Sequence, residues 1–176
     1  MDKRSRLYGS SEFAKLKAGQ RVFLSGAIYT ARDQAHKKFI ELIKNKKKLP
    51  LDLTGQVIYY CGPTATPAGF AIGSCGPTTS SRMDGFVEAL LKQGLVGMIG
   101  KGRRSKKVRE LIKKYRAVYF VAPAGCGAML AEKVVSKKLV AFRGLGAEAV
   151  YKLKVKKFPL IVAIDANGRS IYEDTE

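Results

Sequence analysis

From Arg21 onward, short apolar runs alternate with stretches whose apolar residues recur at helical spacing. That rhythm predicts strands over 22–28, 57–61, 95–99, 118–122, 139–142 and 160–164. The dipeptide Asn167-Gly168 is a tight-turn signal, after which 169–172 can pair back as a last hairpin strand. Helices are predicted between the strands. Residues 31–45 place Ala35, Phe39, Leu42 and Ile43 on one face with lysines opposite, and Thr30 with Asp33 forms a capping-box-like start. Residues 80–93 turn Met83, Val87, Leu90 and Leu91 inward, and Gly94 stops the helix. Further helices are predicted over 104–115 and 127–136. The alternation implies an α/β fold, a single layered domain over 19–176, preceded by a polar N-terminal arm over 1–18.

One stretch escapes the rhythm. Gly62, Pro63, Pro67, Gly69, Gly73, Gly76 and Pro77 crowd a long connection with little helix or strand signal, and such connections in compact domains are usually functional. It runs into Gly76-Pro77-Thr78-Thr79-Ser80-Ser81-Arg82-Met83-Asp84, where consecutive hydroxyl side chains meet a helix start with an arginine one turn in. Hydroxyls, free backbone N–H groups and a guanidinium on one spot suit an anion such as a carboxylate. Thr30-Ala31-Arg32-Asp33 and Gly100-Lys101-Gly102-Arg103 repeat the theme, and all three are strand-to-helix junctions, where ligands collect in α/β sheets. Singly, each is an ordinary surface cation beside a helix cap. Together they predict a site in which Arg32, Arg82 and Lys101 grip a ligand with more than one negative group, while Gly102 lets the backbone approach it. A catalytic Thr78 needs a neighbour to take its proton or positive charge to hold its alkoxide, and Arg82 and Lys101 are the candidates for the latter. His36, the single histidine, sits one turn beyond Asp33, where it either orients Arg32 or packs in the core.

With 176 residues and 46% hydrophobic composition, the chain can bury one real core. It has no apolar run of membrane-spanning length and a polar start, so a cytoplasmic location is the expectation. The net charge of +19 is concentrated in 37–48 and in 101–116, where nine cations face only Glu110. Such blocks bind nucleic acid, an acidic partner chain or solvent. Aromatics do not alternate with the cations and no nucleic-acid signature is present, so a solvated, partly partner-facing surface is the reading. A basic nucleic-acid-binding module without catalysis is the competing class, and it predicts affinity that falls steeply with salt. Cys61, Cys75 and Cys126 are odd in number and widely spaced, which argues against a disulfide framework or a CxxC metal site. Three thiolates would, however, match a cluster with one open iron. P-loop spacing, paired catalytic carboxylates, a metal-binding His pair and a Gly-x-Ser-x-Gly elbow are absent.

The runs Tyr29-Thr30-Ala31-Arg32-Asp33-Gln34-Ala35-His36, Ile72-Gly73-Ser74-Cys75-Gly76-Pro77-Thr78-Thr79-Ser80-Ser81-Arg82-Met83-Asp84 and Ile99-Gly100-Lys101-Gly102 resemble the β subunit of class I (iron–sulfur) fumarate hydratase. The closely related L-tartrate dehydratase β subunit carries the same pattern, and single-chain enzymes have it as their C-terminal domain. The resemblance runs from about Gly19 to the C-terminus and includes Phe158-Pro159-Leu160-Ile161-Val162-Ala163-Ile164-Asp165. It implies a swivelling β/β/α domain docked on a larger α subunit, whose own three cysteines hold a 4Fe–4S cluster, in a higher oligomer such as a dimer of heterodimers. It implies reversible hydration of fumarate to (S)-malate, with L-tartrate dehydration as the nearest alternative and this chain inert alone. By resemblance Arg32, Arg82 and Lys101 bind the small dicarboxylate, Thr78 is the base, and Asp33 and His36 are supporting catalytic residues. The resemblance also implies that Cys61, Cys75 and Cys126 are not cluster ligands, Cys75 standing where the family often has alanine. Phe142-Arg143-Gly144-Leu145-Gly146 stands where members tend to have an acidic pair before the Leu-Gly.

Overall fold

Residues along the central strands are apolar at every position because both faces of the sheet are covered. In β2 (Val57–Tyr59) and the residues after it, Val57, Tyr59 and Cys61 belong to one core, while Ile58 and Tyr60 belong to a second. The computed structural model describes residues 10–172. β1 (Arg21–Thr30), β2, β3 (Gly97–Gly100) and β4 (Val118–Val121) lie side by side and parallel. The 15-residue β6 (Val150–Ile164) runs antiparallel to β1 and, at its C-terminal end, to β4. It thereby closes the sheet into a barrel-like circuit, β1-β2-β3-β4-β6. β5 (Val134–Ala141) pairs with the first half of β6. The molecule is a mixed α/β domain around a closed sheet.

The closed sheet separates the two cores. The inner one holds Leu24, Tyr59, Phe120, Phe158 and Val162, and Phe13 of α1 (Ser10–Phe13) meets Phe120 edge-on with ring centres 5.5 Å apart. The outer one lies under α2 (Asp33–Lys44), α3 (Asp84–Lys92) and α4 (Lys106–Tyr115), and holds Phe39, Val87, Met98, Ile112 and Tyr119. Each such side chain contributes about 1.5–3 kcal/mol by leaving water. Of the stretch read as a polar arm, residues 1–9 lie outside the described residues, whereas Phe13 and Leu16 are buried in the inner core.

Four local expectations are corrected. The helix expected over 127–136 stops early: α5 spans Gly127–Ala131 and β5 begins at Val134, because hydrogen bonding to β6 overrides a weak helical pattern. The strands expected over 139–142 and 160–164 extend back to Val134 and Val150. In β6, lysines alternate with buried Leu153 and Val155, the mark of a half-exposed antiparallel strand. The helix expected over 80–93 opens as a 3₁₀ turn over Ser80–Met83. Finally, Thr30 caps nothing: its buried hydroxyl accepts the Tyr151 N–H at 3.0 Å and donates to the Ala149 carbonyl at 3.3 Å.

Candidate functional site

Parallel strands end at a common edge, and the three cation-bearing junctions leave from it. The Ala31 N–H donates to the Tyr59 carbonyl at 3.1 Å, and the Thr78 N–H to the Tyr60 carbonyl at 2.7 Å. The Lys101 N–H donates to the Thr78 carbonyl at 3.2 Å, and Thr79 pairs with Lys101 as a parallel bridge. Residues 78–80 are therefore stitched onto the ends of β2 and β3, and backbone geometry alone brings Thr78, Lys101 and Gly102 together.

A buried hydroxyl network fixes this edge from behind. Ser80 Oγ accepts the Lys101 N–H at 3.1 Å and lies 2.9 Å from Tyr119 Oη, which donates to the Gly102 carbonyl at 2.8 Å. With the phenol proton committed to a carbonyl, the Ser80 O–H donates to the Tyr119 oxygen. Burial pushes the Tyr119 phenol well above its ordinary range, so it stays a donor. Position 100 must be glycine, since a Cβ there would sit 1.9 Å from Ser80 Oγ. Gly102 follows with φ +81°, the left-handed region that glycine adopts freely.

Two of the three cations, Arg82 and Arg32, meet at one carboxylate. Arg82 donates from Nε to Asp33 Oδ1 at 2.9 Å and from Nη2 to Asp33 Oδ2 at 2.7 Å. Arg32 Nε lies 3.8 Å from Asp33 Oδ2, and this buried nitrogen makes no hydrogen bond among the described residues. Its Nη2 lies 3.9 Å from Glu148 Oε1, and Glu148 Oε2 accepts the Gln34 N–H at 2.9 Å. The Lys101 ammonium and the Thr78 hydroxyl have no partner among the described residues. The Arg82 side chain is 49% exposed, and Lys101 and Gly102 are exposed, so the site is an open surface rather than an enclosed pocket.

His36 is not brought to that surface. It is fully buried against Phe39, Tyr60 and Phe86, and its Nδ1–H donates to the Arg32 carbonyl at 2.8 Å. Burial first, then the Arg104 charge, lowers its pKa to about 4, against the Arg32 hydrogen bond and the Asp33 charge. The imidazole is neutral near pH 7.

Sequence reasoning missed Arg104. Read as part of a solvated basic block, its side chain is fully buried, with Nε donating to Asp84 Oδ1 at 2.7 Å. The guanidinium lies between the rings of Tyr60 and Tyr119, at 5.4 and 4.9 Å from their centres. Asp84 Oδ2 also accepts the Ser105 N–H at 2.8 Å. Arg104 precedes its helix, so no periodicity marks it; the one available signal was Asp84, an acid at a helix start with a cation block downstream. Tyr119 and Glu148 were missed for the same reason, being polar groups placed by tertiary contacts, and Ser80, expected among the hydroxyls facing a ligand, is instead buried behind the edge.

The cysteines do not form a metal site. Cys61 and Cys75 are buried, and the Cys75 thiol donates to the Gly127 carbonyl at 3.9 Å. Cys126 is only half-buried and precedes α5. Among the described residues no group of three or more His, Cys, Asp or Glu side chains could hold a metal ion, so this donor set does not fit an iron–sulfur cluster.

A closed mixed sheet whose parallel edge presents two arginines, a lysine and a threonine hydroxyl makes this a mixed α/β domain with a cationic strand edge. The chain belongs to the fumarase C-terminus family, whose model matches residues 5–175. It is 45% identical over 166 residues to a Methanocaldococcus jannaschii protein provisionally named L(+)-tartrate dehydratase subunit beta, covering 91% of this chain and 85% of that one. It is 36% identical over 168 residues to the aerobic class I fumarate hydratase of Escherichia coli, covering 94% of this chain and 31% of that enzyme. It is 33% identical over 172 residues to the L(+)-tartrate dehydratase subunit beta of Escherichia coli, covering 95% of this chain and 84% of that subunit. The chain thus spans most of the beta subunits but under a third of that fumarate hydratase. The relatives are hydro-lyases, and those named subunit beta imply an alpha partner.

Proposed function

We propose that this chain is the β subunit of a two-subunit iron–sulfur hydro-lyase that interconverts fumarate and (S)-malate. The observation that carries the reading is the convergence of Arg32, Arg82 and Lys101, from three separate junctions, on one open strand edge beside an unengaged Thr78 hydroxyl. The domain is of the swivelling type, docked on a larger α subunit in the cytoplasm, within a higher oligomer such as a dimer of heterodimers. The 4Fe–4S cluster belongs to that partner, in keeping with a chain whose own cysteines do not fit one.

The residues of this chain bind, orient and handle a proton. A dicarboxylate spreads negative charge over two ends, and two guanidiniums with one ammonium match it. Charge on the substrate grows as a proton leaves carbon, so fixed cations stabilise the transition state more than the ground state. Thr78 is the base: under the positive charge of Lys101 and Arg82 its hydroxyl would release its proton to solvent, and the resulting alkoxide would take the proton from carbon and return as the neutral hydroxyl. Asp33 acts by holding Arg82, and His36 acts from beneath through the Arg32 carbonyl; both position groups rather than touch substrate.

A second reading, L-tartrate dehydration, is favoured by the 45% identity to a relative carrying that name. Turnover of both substrates by the anaerobically purified native complex decides between them. Air-sensitive hydration of fumarate supports the first reading, and an intact complex that ignores fumarate but dehydrates L-tartrate supports the second. No turnover of either, with no larger partner, overturns both.

A further inference from the structure

Charge is absent from two segments of a chain in which 27% of residues are charged: 62–81 and 117–131 contain no Asp, Glu, Lys, Arg or His. The fold packs them together. The Cys75 N–H donates to the Gly127 carbonyl at 3.1 Å, and the Thr64 N–H to the Ser74 carbonyl at 3.0 Å pins the base of the long loop. Lys137 Nζ, on β5, reaches Thr66 Oγ1 at 2.5 Å. The loop, α5 and the start of β5 therefore form one continuous region. Among the described residues it carries three of the four exposed large apolar side chains: Phe70 at 65%, Met129 at 38% and Val135 at 53% exposure. Ala65 and Pro67 beside Phe70 are exposed as well.

We infer that this surface, charge-free across the loop and α5 and bordered by the lysines of β5, is the docking surface for the larger, cluster-bearing subunit, an inference that rests on the function proposed above. Interface cores are depleted of charge and rich in Phe and Met, whereas free surfaces are not. A second copy is a poor occupant, because two bodies of charge +19 repel each other. The larger subunit fits for two reasons. Beta-subunit relatives match this chain almost end to end, while the aerobic class I fumarate hydratase has more than twice as much additional chain to cover such a face. The return arm of the loop also runs directly into Thr78, so a partner seated on Phe70 and Met129 borders the open edge. The same contact that joins the chains thereby closes the site from solvent.

The test tags this chain, purifies the native complex anaerobically, and compares wild type with Phe70→Asp, Met129→Asp and a control, Lys48→Glu, which adds negative charge at the opposite, amino end of the strands. The partner is identified by mass spectrometry as a homologue of the remainder of class I fumarate hydratase. The expected result is retention by wild type and Lys48→Glu, with the dissociation constant raised roughly 10- to 100-fold in the two Asp variants. Both positions are exposed, so unchanged melting of the isolated variants separates lost docking from lost folding. Equal retention by all four overturns the surface and leaves the proposed function standing if that complex hydrates fumarate or dehydrates L-tartrate. A wild-type chain that retains only itself, in an assembly broken by Phe70→Asp, overturns the occupant and the two-subunit reading together.

Discussion

Arg82 meets Asp33 through two parallel hydrogen bonds, Nε to Oδ1 at 2.9 Å and Nη2 to Oδ2 at 2.7 Å, so α2 and the hydroxyl-rich segment are tied together at the site itself. With the arginine half exposed, the pair adds only about 0–1 kcal/mol to stability. Its value is directional, because the fork fixes the guanidinium plane and leaves Nη1 for a ligand. Asp33→Asn keeps the size but loses the charge and one acceptor. On the proposed function, kcat falls roughly 10- to 100-fold with KM little changed, as expected for lost orientation. Steady-state kinetics check this; a rise confined to KM would assign Asp33 to ground-state binding.

Arg82→Ala removes a ligand rather than a support. Turnover in the intact complex is expected to fall by orders of magnitude, while the melting temperature of the isolated chain stays within about 4 °C, the shift of roughly 1 kcal/mol. Near-normal turnover would remove Arg82 from the site.

Thr78→Ala separates base from binder. Its N–H and carbonyl are committed to Tyr60 and Lys101, so the backbone survives the change and only the free hydroxyl is lost. The expected outcome is a kcat reduced far more than KM is raised. An effect on KM alone would leave the base unidentified.

Much of this arrangement is legible in the chain before folding. Arg32, Thr78, Arg82 and Lys101 stand at strand-to-helix junctions, and strand order makes those junctions neighbours. The central strands declare themselves through unbroken apolar runs, since both faces are buried. The first half of β6 does not, because its lysines alternate with apolar residues along a strand whose partners are far away in sequence. Closure of the sheet depends on that strand, so a layered reading could not foresee a barrel. Arg104 hides in a basic block because burial of a single guanidinium depends on two tyrosines and an aspartate brought in by the fold. The Ser80–Tyr119 network is silent for the same reason.

That network carries a prediction. In Tyr119→Phe, the Gly102 carbonyl and the buried Ser80 hydroxyl each lose a partner without any change in packing volume. Stability is expected to drop by about 1–2 kcal/mol, read from the denaturant midpoint at constant slope. Because Ser80 also holds the Lys101 N–H, kcat falls alongside. A stability loss with normal kinetics would make the network purely structural.

His36 links pH to stability through its burial. Its folded pKa, lowered to about 4, lies below the unfolded value of 6.5, so between these values the unfolded chain binds more protons than the folded one. Stability contributed by the neutral imidazole is therefore complete above pH 6.5 and declines as pH falls toward 4, by at most on the order of 3 kcal/mol. Nearby charges do not reverse the sign: Arg104 opposes protonation and Asp33 favours it, but desolvation dominates both. In His36→Phe the Arg32 carbonyl keeps its bond from the backbone N–H of residue 36, and the unpartnered Nε2 disappears into a shell of Phe39, Tyr60 and Phe86. Thermal melts from pH 7.5 to 4 should show the wild type losing stability more steeply than the variant. Parallel curves would mean that carboxylates elsewhere, not His36, set the acid limit of this fold.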